Sequence, residues 1–263
     1  MKIGILYLAT GRYICFWEEF FKTAQKYLFP DAEKTYFVFT DNENIYEENN
    51  PCVKKYFYPK LKWPDAGLMK FDAYLKAEQD YSDIDYLFYF NGNMIFVDKI
   101  GEEILPKEEN GNMALAVWAS YWHNRNNLEY PYNRDKNCWA YIPEGEGKYY
   151  YMSGLFGGKT KDFLQMCREL NDVIKIDMEK GIDSHDESYV NKYFLNRNPL
   201  IITPNYAMPD KWKIKGFEKN IKAIIVKKHH YKYGGHAYLR GETDKKITPL
   251  KWWLNKVFGL HLK

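Results

Sequence analysis

The chain has 263 residues with a formal net charge of +3, and 18% of its residues are aromatic. This length suits one large α/β domain with a substantial buried core, and the small net charge argues against nucleic acid as a partner. No apolar run approaches the ~18 residues of a membrane span, and Met1 to Ile5 lead directly into a strand instead of a signal peptide. We therefore expect a cytoplasmic globular protein.

The cysteines argue against two further classes of protein. Cys15, Cys52, Cys138 and Cys167 show neither a C-x-x-C spacing nor a partnered histidine pattern. Zinc sites and disulfide frameworks depend on such spacings, so we expect four reduced thiols.

The chain opens with the pattern of a βαβ unit. Lys2 to Leu8 and Thr35 to Thr40 are typical of buried strands, and apolar residues recur at helical spacing from Trp17 to Leu28. A short strand near Val53 to Tyr58 and a helix carrying Leu68 to Leu75 continue the alternation. This order predicts the α/β class, with a Rossmann-like and largely parallel central sheet.

The next element is an apolar run that stops at Asn91-Gly92-Asn93. Tyr86 to Phe90 are all apolar or aromatic, which indicates a strand covered on both faces. In open α/β sheets ligands bind at the carboxyl ends of such strands. A hairpin turn into Met94 to Phe96 is the structural alternative, and the position after a buried strand favours the ligand site.

Residues 124 to 147 are rich in Asn, Pro, Gly and charge, which predicts a long loop over the functional edge of the sheet. After Tyr149-Tyr150-Tyr151, small residues predict a turn at Ser153-Gly154. A helix with its apolar face from Phe163 to Ile174 follows.

Two adjacent carboxylates, Asp186 and Glu187, lie at the predicted start of a helix that buries Tyr189 to Phe194. Acidic residues at this position complement the helix dipole and cap free N–H groups, which is a structural role. One carboxylate can also face a reacting carbon while His185 or the backbone holds the other. The two roles are compatible.

Positive charge is concentrated between Lys227 and His236. A run of solvated charges on the protein surface explains this segment as well as a ligand-binding site does. Neutral amides such as Asn91 and Asn93 attract Mg²⁺ or Mn²⁺ weakly, whereas lysine ammonium groups can bind phosphate oxygens in place of a metal. The pair Gly234-Gly235 gives the segment freedom to close on a ligand.

The order and spacing of these motifs resemble glycosyltransferase family 6, which includes the histo-blood-group A and B transferases, the α1,3-galactosyltransferases and short bacterial relatives. The resemblance covers residues 2 to 240. It is carried by Tyr36 to Asp41, Trp63-Pro64, Asn91-Gly92-Asn93, Ala140 to Glu144, Tyr149 to Gly158, His185 to Ser188 and Asn191-Lys192-Tyr193.

The resemblance implies a GT-A fold and retaining transfer of N-acetylgalactosamine or galactose from its UDP ester to the 3-hydroxyl of a galactoside. Catalytic roles would fall to Asp186, which hydrogen-bonds the donor sugar, and to Glu187 beneath the anomeric carbon. Glu187 would act as nucleophile or as stabiliser of an oxocarbenium-like transition state, and both mechanisms stay open.

The remaining implied roles are binding roles. Thr10 and Tyr13 would line the uracil pocket, and Lys70 occupies the position of an arginine that contacts the donor. Donor contacts are also expected from Asn91, Asn93, Met152, Ser153, Gly154 and Lys228. Acceptor contacts are expected from His185, Glu187 and Trp122, and the acceptor would be a galactose-containing oligosaccharide, with fucosylated and lipid-linked forms both open.

The chain departs from the family pattern at three points. Asn91 and Asn93 replace the Asp-x-Asp of metal-dependent members, so we expect metal-independent activity and no cofactor. Ala119 to His123 replaces a His-Pro-Gly-Phe-Tyr acceptor segment, which leaves the acceptor open. We expect none of the N-terminal anchor and stem that the vertebrate members carry, which favours a bacterial cytosolic enzyme.

The donor sugar depends on Met152-Ser153-Gly154, where the family discriminates its donors. Gly154 leaves room for an acetamido group, whereas Met152 is typical of a galactose-using enzyme, so N-acetylgalactosamine is only slightly favoured.

Two other functions stay open. One is a degenerate sugar-binding protein, against which both carboxylates argue. The other is a metal-dependent GT-A transferase of another family, against which the amides argue.

We expect residues 1 to 243 to form the GT-A domain and residues 244 to 263 to form a basic amphipathic tail. Pro249 suits the first turn of a helix, and Lys251 and Lys256 project away from its apolar face. That face comprises Leu250, Trp253, Leu254, Val257 and Phe258. The helix either lies on the inner membrane surface or packs on the domain through the same face.

Overall fold

The computed structural model describes residues 1–62, 64–124, 126–182 and 184–258. Trp63 of the family pattern and residues 259–263 of the predicted tail lie outside the described residues, as does the side chain of Phe258.

The strands within these ranges form a large central sheet and a small sheet. They are β1 (Lys2–Leu8), β2 (Glu33–Thr40), β3 (Val53–Phe57), β4 (Tyr86–Phe90), β5 (Met94–Phe96), β6 (Met113–Val117), β7 (Tyr151–Lys159), β8 (Leu200–Ile202), β9 (Met208–Pro209) and β10 (Ala223–Ile225).

The helices connect and cover these strands. The α-helices are α1 (Trp17–Tyr27), α2 (Asp65–Leu68), α3 (Lys70–Leu75), α4 (Thr160–Glu179), α5 (Asp186–Phe194), α6 (His236–Arg240) and α7 (Pro249–Phe258). Short 3-10 helices span Gly11–Phe16, Glu78–Tyr81, Glu102–Ile104, Glu108–Asn110, Ala119–Tyr121, Asn127–Glu129, Pro204–Tyr206 and Tyr231–Tyr233.

The central sheet has the strand order β3-β2-β1-β4-β7-β6-β8. Only β7 is antiparallel to its neighbours β4 and β6, and the other adjacent pairs of this sheet are parallel. The small sheet has the order β5-β10-β9. The predicted α/β class with a mixed, largely parallel central sheet is therefore confirmed, and the architecture is that of a GT-A-like fold.

Strand β4 shows how the central sheet is covered on both faces. Leu87 and Tyr89 belong to the core shared with α3, α4 and α5, whereas Phe88 and Phe90 belong to the core beneath α1. This alternation is the two-residue period of a strand. The carboxyl end of β4 is therefore held rigidly where Asn91-Gly92-Asn93 begins.

The hairpin interpretation of Asn91-Gly92-Asn93 is wrong. β5 does not return along β4 but pairs with β10 in the small sheet. The triplet is instead the turn by which the chain leaves the central sheet, because the amide of Met94 donates to the carbonyl of Asn91 at 2.9 Å.

The predicted turn at Ser153-Gly154 is also wrong, because both residues lie inside the continuous strand β7. A Cβ at Gly157 would come within 2.2 Å of the Phe88 ring, and a Cβ at Gly154 within 2.8 Å of the Met152 methyl group. The small residues thus allow neighbouring side chains to approach the backbone of β7 closely, and they do not reverse the direction of the chain.

One helical region differs in detail from its sequence pattern. The helix expected to carry Leu68 to Leu75 is divided into α2 and α3, since the backbone leaves helical geometry at Met69 (ψ 9°).

The described residues between 124 and 147 form the predicted loop. Tyr130, Tyr132 and Ile142 pack it against Tyr150 in a small core of its own.

β6 was not predicted. Its run Met-Ala-Leu-Ala-Val fits a buried helix segment as well as a strand, so periodicity does not distinguish them. Among the described residues, no helix combines the length and the apolar character needed to cross a bilayer.

Candidate active site

A cavity of about 420 Å³ lies at the carboxyl ends of β1 and β4, beside β7 and the beginning of α5. Its volume is in the range of small-molecule sites. Most of the site residues expected from the sequence line it, namely Thr10, Tyr13, Lys70, Asn91, Asn93, Met152, Ser153, Gly154, His185, Asp186, Glu187 and Lys228. The fold thus brings together residues that are more than 200 positions apart.

Trp122 is the exception, since it does not line this cavity. Its ring packs edge to face against Phe217, with the ring centroids 5.6 Å apart. Trp118, four residues earlier, lines the cavity instead. An acceptor-binding role for Trp122 stays a prediction.

Three hydrogen bonds orient the carboxylate of Glu187 in the cavity. The indole N–H of Trp118 donates to its Oε1 at 2.5 Å, and the backbone N–H of Ser153 donates to the same atom at 3.2 Å. The hydroxyl of Tyr150 donates to Oε2 at 3.4 Å. Three donors outside α5 therefore fix the carboxylate against the end of β6 and the start of β7.

Burial raises the pKa of Glu187 to about 7, and the negative charge of Asp186 adds to this rise. The hydrogen bonds from Trp118 and Ser153 and the charge of Lys70 oppose it. Glu187 consequently changes its charge near neutral pH, a property typical of functional carboxylates.

Asp186 shows the opposite shift. Burial alone would raise the pKa of Asp186, but Lys70 and Ser153 hold it below its ordinary value. The Nζ atom of Lys70 lies 2.7 Å from Oδ2, and the hydroxyl of Ser153 donates to the same oxygen. Lys70 is itself only 3% exposed and also donates to the carbonyl of Ser153 at 2.6 Å.

Asn191 fixes the position of these carboxylates relative to β7. Its Oδ1 accepts from the amide of Tyr151 and its Nδ2 donates to the carbonyl of Tyr151, both at 2.8 Å. The same Nδ2 donates to the carbonyl of Glu187 at 2.8 Å. One buried amide therefore binds the first turn of α5 to the strand that supplies Ser153.

Asp177 of α4 accepts a second set of hydrogen bonds that hold α5 in place. Its carboxylate is buried and accepts from the amide of Trp139 at 2.8 Å and from the hydroxyl of Tyr189 at 3.0 Å. The thiol of Cys138 donates to it at 3.3 Å. The loop of residues 124 to 147 is thereby attached to the helix that carries Asp186 and Glu187.

At the opposite wall, Asn93 joins β4 to the segment that leads into Lys228. Its Nδ2 donates to the carbonyl of Val226 at 2.5 Å, and the amide of Val226 donates to the Asn93 carbonyl at 2.9 Å. The Oδ1 atom of Asn93 is buried and has no hydrogen-bond partner among the described residues. An acceptor left in this state costs about 1–3 kcal/mol.

The basic segment forms the remaining wall. Burial lowers the pKa of Lys228 to about 8, although the charge of Asp186 opposes this shift. Leu239 and Arg240 of α6 also line the cavity. Arg12 holds this segment, because it donates to the carbonyls of Tyr238 and Thr243 at 2.9 and 2.7 Å and lies 4.1 Å from the Tyr238 ring centroid.

Trp118, Tyr150 and Arg240 belong to the site although the sequence did not assign them a role. Trp118 directly follows β6, so recognition of that strand would have placed the indole at the ligand-binding edge of the sheet. Tyr150 lies in the motif Tyr149-Tyr150-Tyr151, in which the sequence assigned it no role. Arg240 has no feature in the sequence beyond its charge that would predict a role.

The donor set of this site is poorly suited to a divalent cation. The two side chains at the end of β4 are neutral amides, and the nitrogen of Asn93 is committed to Val226. The described parts of the chain contain no cluster of three or more His, Cys, Asp or Glu placed to hold a metal ion. Cationic Lys70, Lys228 and Arg240 line the cavity.

Comparison with known proteins matches residues 1–233 to the model of glycosyltransferase family 6. The O-antigen biosynthesis glycosyltransferase WbnI of Escherichia coli is 29% identical over 238 residues, which cover 90% of this chain and 99% of the relative.

Two vertebrate relatives are also similar to this chain. The globoside alpha-1,3-N-acetylgalactosaminyltransferase 1 of Gallus gallus is 28% identical over 80% of this chain and 63% of its own length. The histo-blood group ABO system transferase 1 of Rattus norvegicus is 26% identical over 87% of this chain and 67% of its own length. The chain therefore matches only the larger part of these vertebrate proteins.

We predict that Lys70→Met destabilises the protein strongly, because it leaves the carboxylate of Asp186 buried without its counter-ion. Loss of one partner of a buried ion pair costs about 3–5 kcal/mol, which a urea denaturation curve measures as a lower midpoint. Lys76→Met is the matched control, since its ammonium is half exposed and lies 3.6 Å from Asp72. Exposed pairs contribute up to about 1 kcal/mol. Equal midpoints for the two variants would contradict the assigned importance of Lys70.

Proposed function

Since the chain belongs to glycosyltransferase family 6, we propose that it transfers N-acetylgalactosamine or galactose from the UDP ester to the 3-hydroxyl of a galactoside, with retention of configuration and without a metal ion. One observation carries this proposal. The carboxylate of Glu187, oriented by Trp118, Ser153 and Tyr150, lines the same cavity as the polar end of β4 and the basic segment.

The reaction breaks the bond between the anomeric carbon and the phosphate oxygen, and its electron pair leaves with UDP. The new bond joins the anomeric carbon to the acceptor oxygen, and the hydroxyl proton is released. Positive charge develops on the sugar ring, so a fixed carboxylate beneath it lowers the barrier. Glu187 is fixed in this sense before substrate binds, which suits both a covalent and a front-face retaining route.

Negative charge develops on the leaving diphosphate at the same time. Lys228 and Arg240 line the cavity, and Arg12 holds the chain on both sides of Arg240. The charges of Lys228 and Arg240 suit phosphate oxygens. A diphosphate would raise the lowered pKa of Lys228 by pairing with its ammonium. In this proposal the two cations take the electrostatic role that Mn²⁺ has in Asp-x-Asp transferases.

The nucleoside would lie between the end of β1 and this segment. Tyr13 is half-buried there, with the Nζ atom of Lys228 at 5.6 Å from its ring centroid, and Thr10 lies beside it at the cavity wall. A uracil ring suits such an aromatic surface. A ligand hydroxyl donating to Oδ1 of Asn93 would satisfy this buried acceptor.

The acceptor would approach the side of the cavity that contains Glu187, Trp118 and the exposed His185. An indole face suits the apolar face of a galactose ring, and Trp118 also orients the carboxylate on which the transfer depends. We assign acceptor recognition to this corner and a galactose-containing oligosaccharide to the acceptor.

We predict that Glu187→Gln slows transfer by about a hundredfold or more, equivalent to roughly 3–4 kcal/mol of transition-state stabilisation. UDP release and sugar transfer are measured together, so that hydrolysis is distinguished from transfer. In the wild type the rate should rise with pH through a value near 7, because the ionised form of Glu187 is required and its pKa is about 7. The variant should lose this dependence.

The matched control for this prediction is Glu179→Gln, which changes an exposed carboxylate at the end of α4. It should keep the wild-type rate and pH profile, and thermal melts of both variants report whether the fold is intact. Wild-type turnover in a folded Glu187→Gln protein would remove this residue from the mechanism. A protein that binds UDP-sugars without releasing UDP would be a sugar binder instead of an enzyme.

We predict that EDTA leaves the activity unchanged. Asn91→Asp adds negative charge beside the diphosphate and should weaken donor binding by about tenfold, a cost near 1.4 kcal/mol, with partial recovery on addition of Mn²⁺. The double variant Asn91→Asp/Asn93→Asp should show a larger effect, and Asn220→Asp, at an exposed position, should show none. Activity that EDTA abolishes and Mn²⁺ restores in the wild type would refute metal independence.

We predict a modest preference for UDP-N-acetylgalactosamine over UDP-galactose, because Gly154 carries no side chain at the donor-selective triplet. The methyl group of Met152 fills this place, since a Cβ at Gly154 would lie 2.8 Å from it, and the flexible Met152 side chain would move aside for an acetamido group. The ratio of kcat/KM for the two donors measures the preference. Gly154→Ala should shift the ratio towards galactose, whereas the remote Gly101→Ala should not. A strong wild-type preference for UDP-galactose would contradict the assignment.

A further inference from the structure

The net charge of +3 conceals a strong asymmetry along the chain. Residues 210 to 258 contain 13 Lys and Arg against 4 Asp and Glu, a net charge of +9. The rest of the chain contains 25 basic and 31 acidic residues, a net charge of −6. The catalytic proposal uses only Lys228 and Arg240 of these 13 basic residues, and the location of the others determines what else they can bind.

Helix α7 is attached to the domain through Trp252. The indole of Trp252 lies 4.5 Å from the His230 ring and 5.5 Å from the Tyr231 ring, measured between centroids. The Nζ atom of Lys256 lies 5.3 Å from the centroid of the same indole. Trp252 therefore determines which side of the helix faces the protein.

The apolar stripe of α7 faces solvent. Leu250, Trp253 and Val257 occur at the i, i+3 and i+7 spacing of one helix face, and they are 67%, 49% and 52% exposed. Three of the five apolar side chains of the predicted face are therefore exposed, whereas Leu254 is half-buried and the side chain of Phe258 lies outside the described residues. A helix packed on its domain ordinarily turns such a stripe inwards, so the exposed stripe of α7 requires an explanation.

Two lysines flank this stripe on α7. They are Lys251 and Lys256, and both are exposed. Further basic charge lies at the base of the helix, where Lys211 is close enough to His230 to contribute, after burial, to the lowered pKa of that histidine. Trp212, the next residue, is another exposed indole.

We propose that α7 binds the surface of a lipid bilayer that contains anionic lipids. Trp253, Leu250 and Val257 would enter the interfacial region, where indoles are favoured. The surrounding lysines would bind lipid phosphates and carboxylates, each adding to the affinity. One ligand chemistry thus accounts for both the apolar stripe and the two lysines that flank it.

Other occupants fit these observations less well. A second copy of the chain would bring two strongly positive faces together, which is electrostatically unfavourable. Nucleic acid would use the lysines and the indoles but leave Leu250 and Val257 without a role. The proposal is independent of the reaction, because neither the stripe nor its lysines line the cavity.

The test is co-sedimentation of the whole chain with vesicles of phosphatidylcholine alone and of phosphatidylcholine mixed with phosphatidylglycerol. We expect binding to the mixed vesicles at least about tenfold tighter than to the neutral ones, as electrostatic attraction to anionic lipid requires. Leu250→Ser/Trp253→Ser and Lys251→Glu/Lys256→Glu should each weaken binding to mixed vesicles by about tenfold or more.

Matched controls change exposed residues of the same types elsewhere. Phe57→Ser/Ile176→Ser and Lys26→Glu/Lys161→Glu alter exposed positions outside the segment, and both should bind as the wild type does. All four variants should retain turnover of soluble substrates, which separates this test from the test of the reaction. Equal sedimentation with both vesicle types, unchanged binding by the α7 variants, or a dimer that Leu250→Ser/Trp253→Ser dissolves would overturn the proposal.

Discussion

The site depends on one electrostatic constraint. Asp186 and Glu187 are neighbours in sequence at the edge of a desolvated cavity, and two adjacent carboxylates in such an environment are expensive to ionise together. The buried ammonium of Lys70, 2.7 Å from Asp186, determines which of them carries the permanent charge. Asp186 is thereby held ionised, and Glu187 is left with a pKa of about 7. The structure thus separates the roles of the two carboxylates. Asp186 stays charged, whereas the charge of Glu187 responds to its surroundings.

The fold provides this separation with few elements. Lys70 begins α3 directly after the helical run divides at Met69, and its buried side chain reaches the carboxylate of Asp186. Ser153 contributes in two ways, since its hydroxyl binds Asp186 and its backbone N–H binds Glu187. In that arrangement β7 lies against the beginning of α5. Asn191 secures the contact, and the close approach of Gly157 to Phe88 allows β7 to lie beside β4.

The sequence predicted most of the architecture because its strands and helices have unambiguous periods. β1, β2 and β4 are continuous apolar runs, and α1, α4 and α5 have regular apolar faces, so local pattern and tertiary structure agree. The predictions of secondary structure fail where the same residue type is compatible with two kinds of local structure. Small residues at Ser153 and Gly154 are as typical of a turn as of close packing, and the alanines of β6 leave helix and strand undecided.

The same distinction applies to the site. Asp186 and Glu187 were identified because the resemblance to the family assigns roles to these two positions, whereas Trp118 was missed because its role follows only from the position of β6. The basic segment illustrates the limit most clearly. Lys228 and Arg240 face the cavity, yet His230, two residues beyond Lys228, holds Trp252 and so turns the apolar stripe of α7 outwards. A count of charges in the sequence identifies the excess of lysine but not the surface on which each lysine lies. Only the packing of Trp252 shows which lysines lie beside the exposed stripe and not near the cavity.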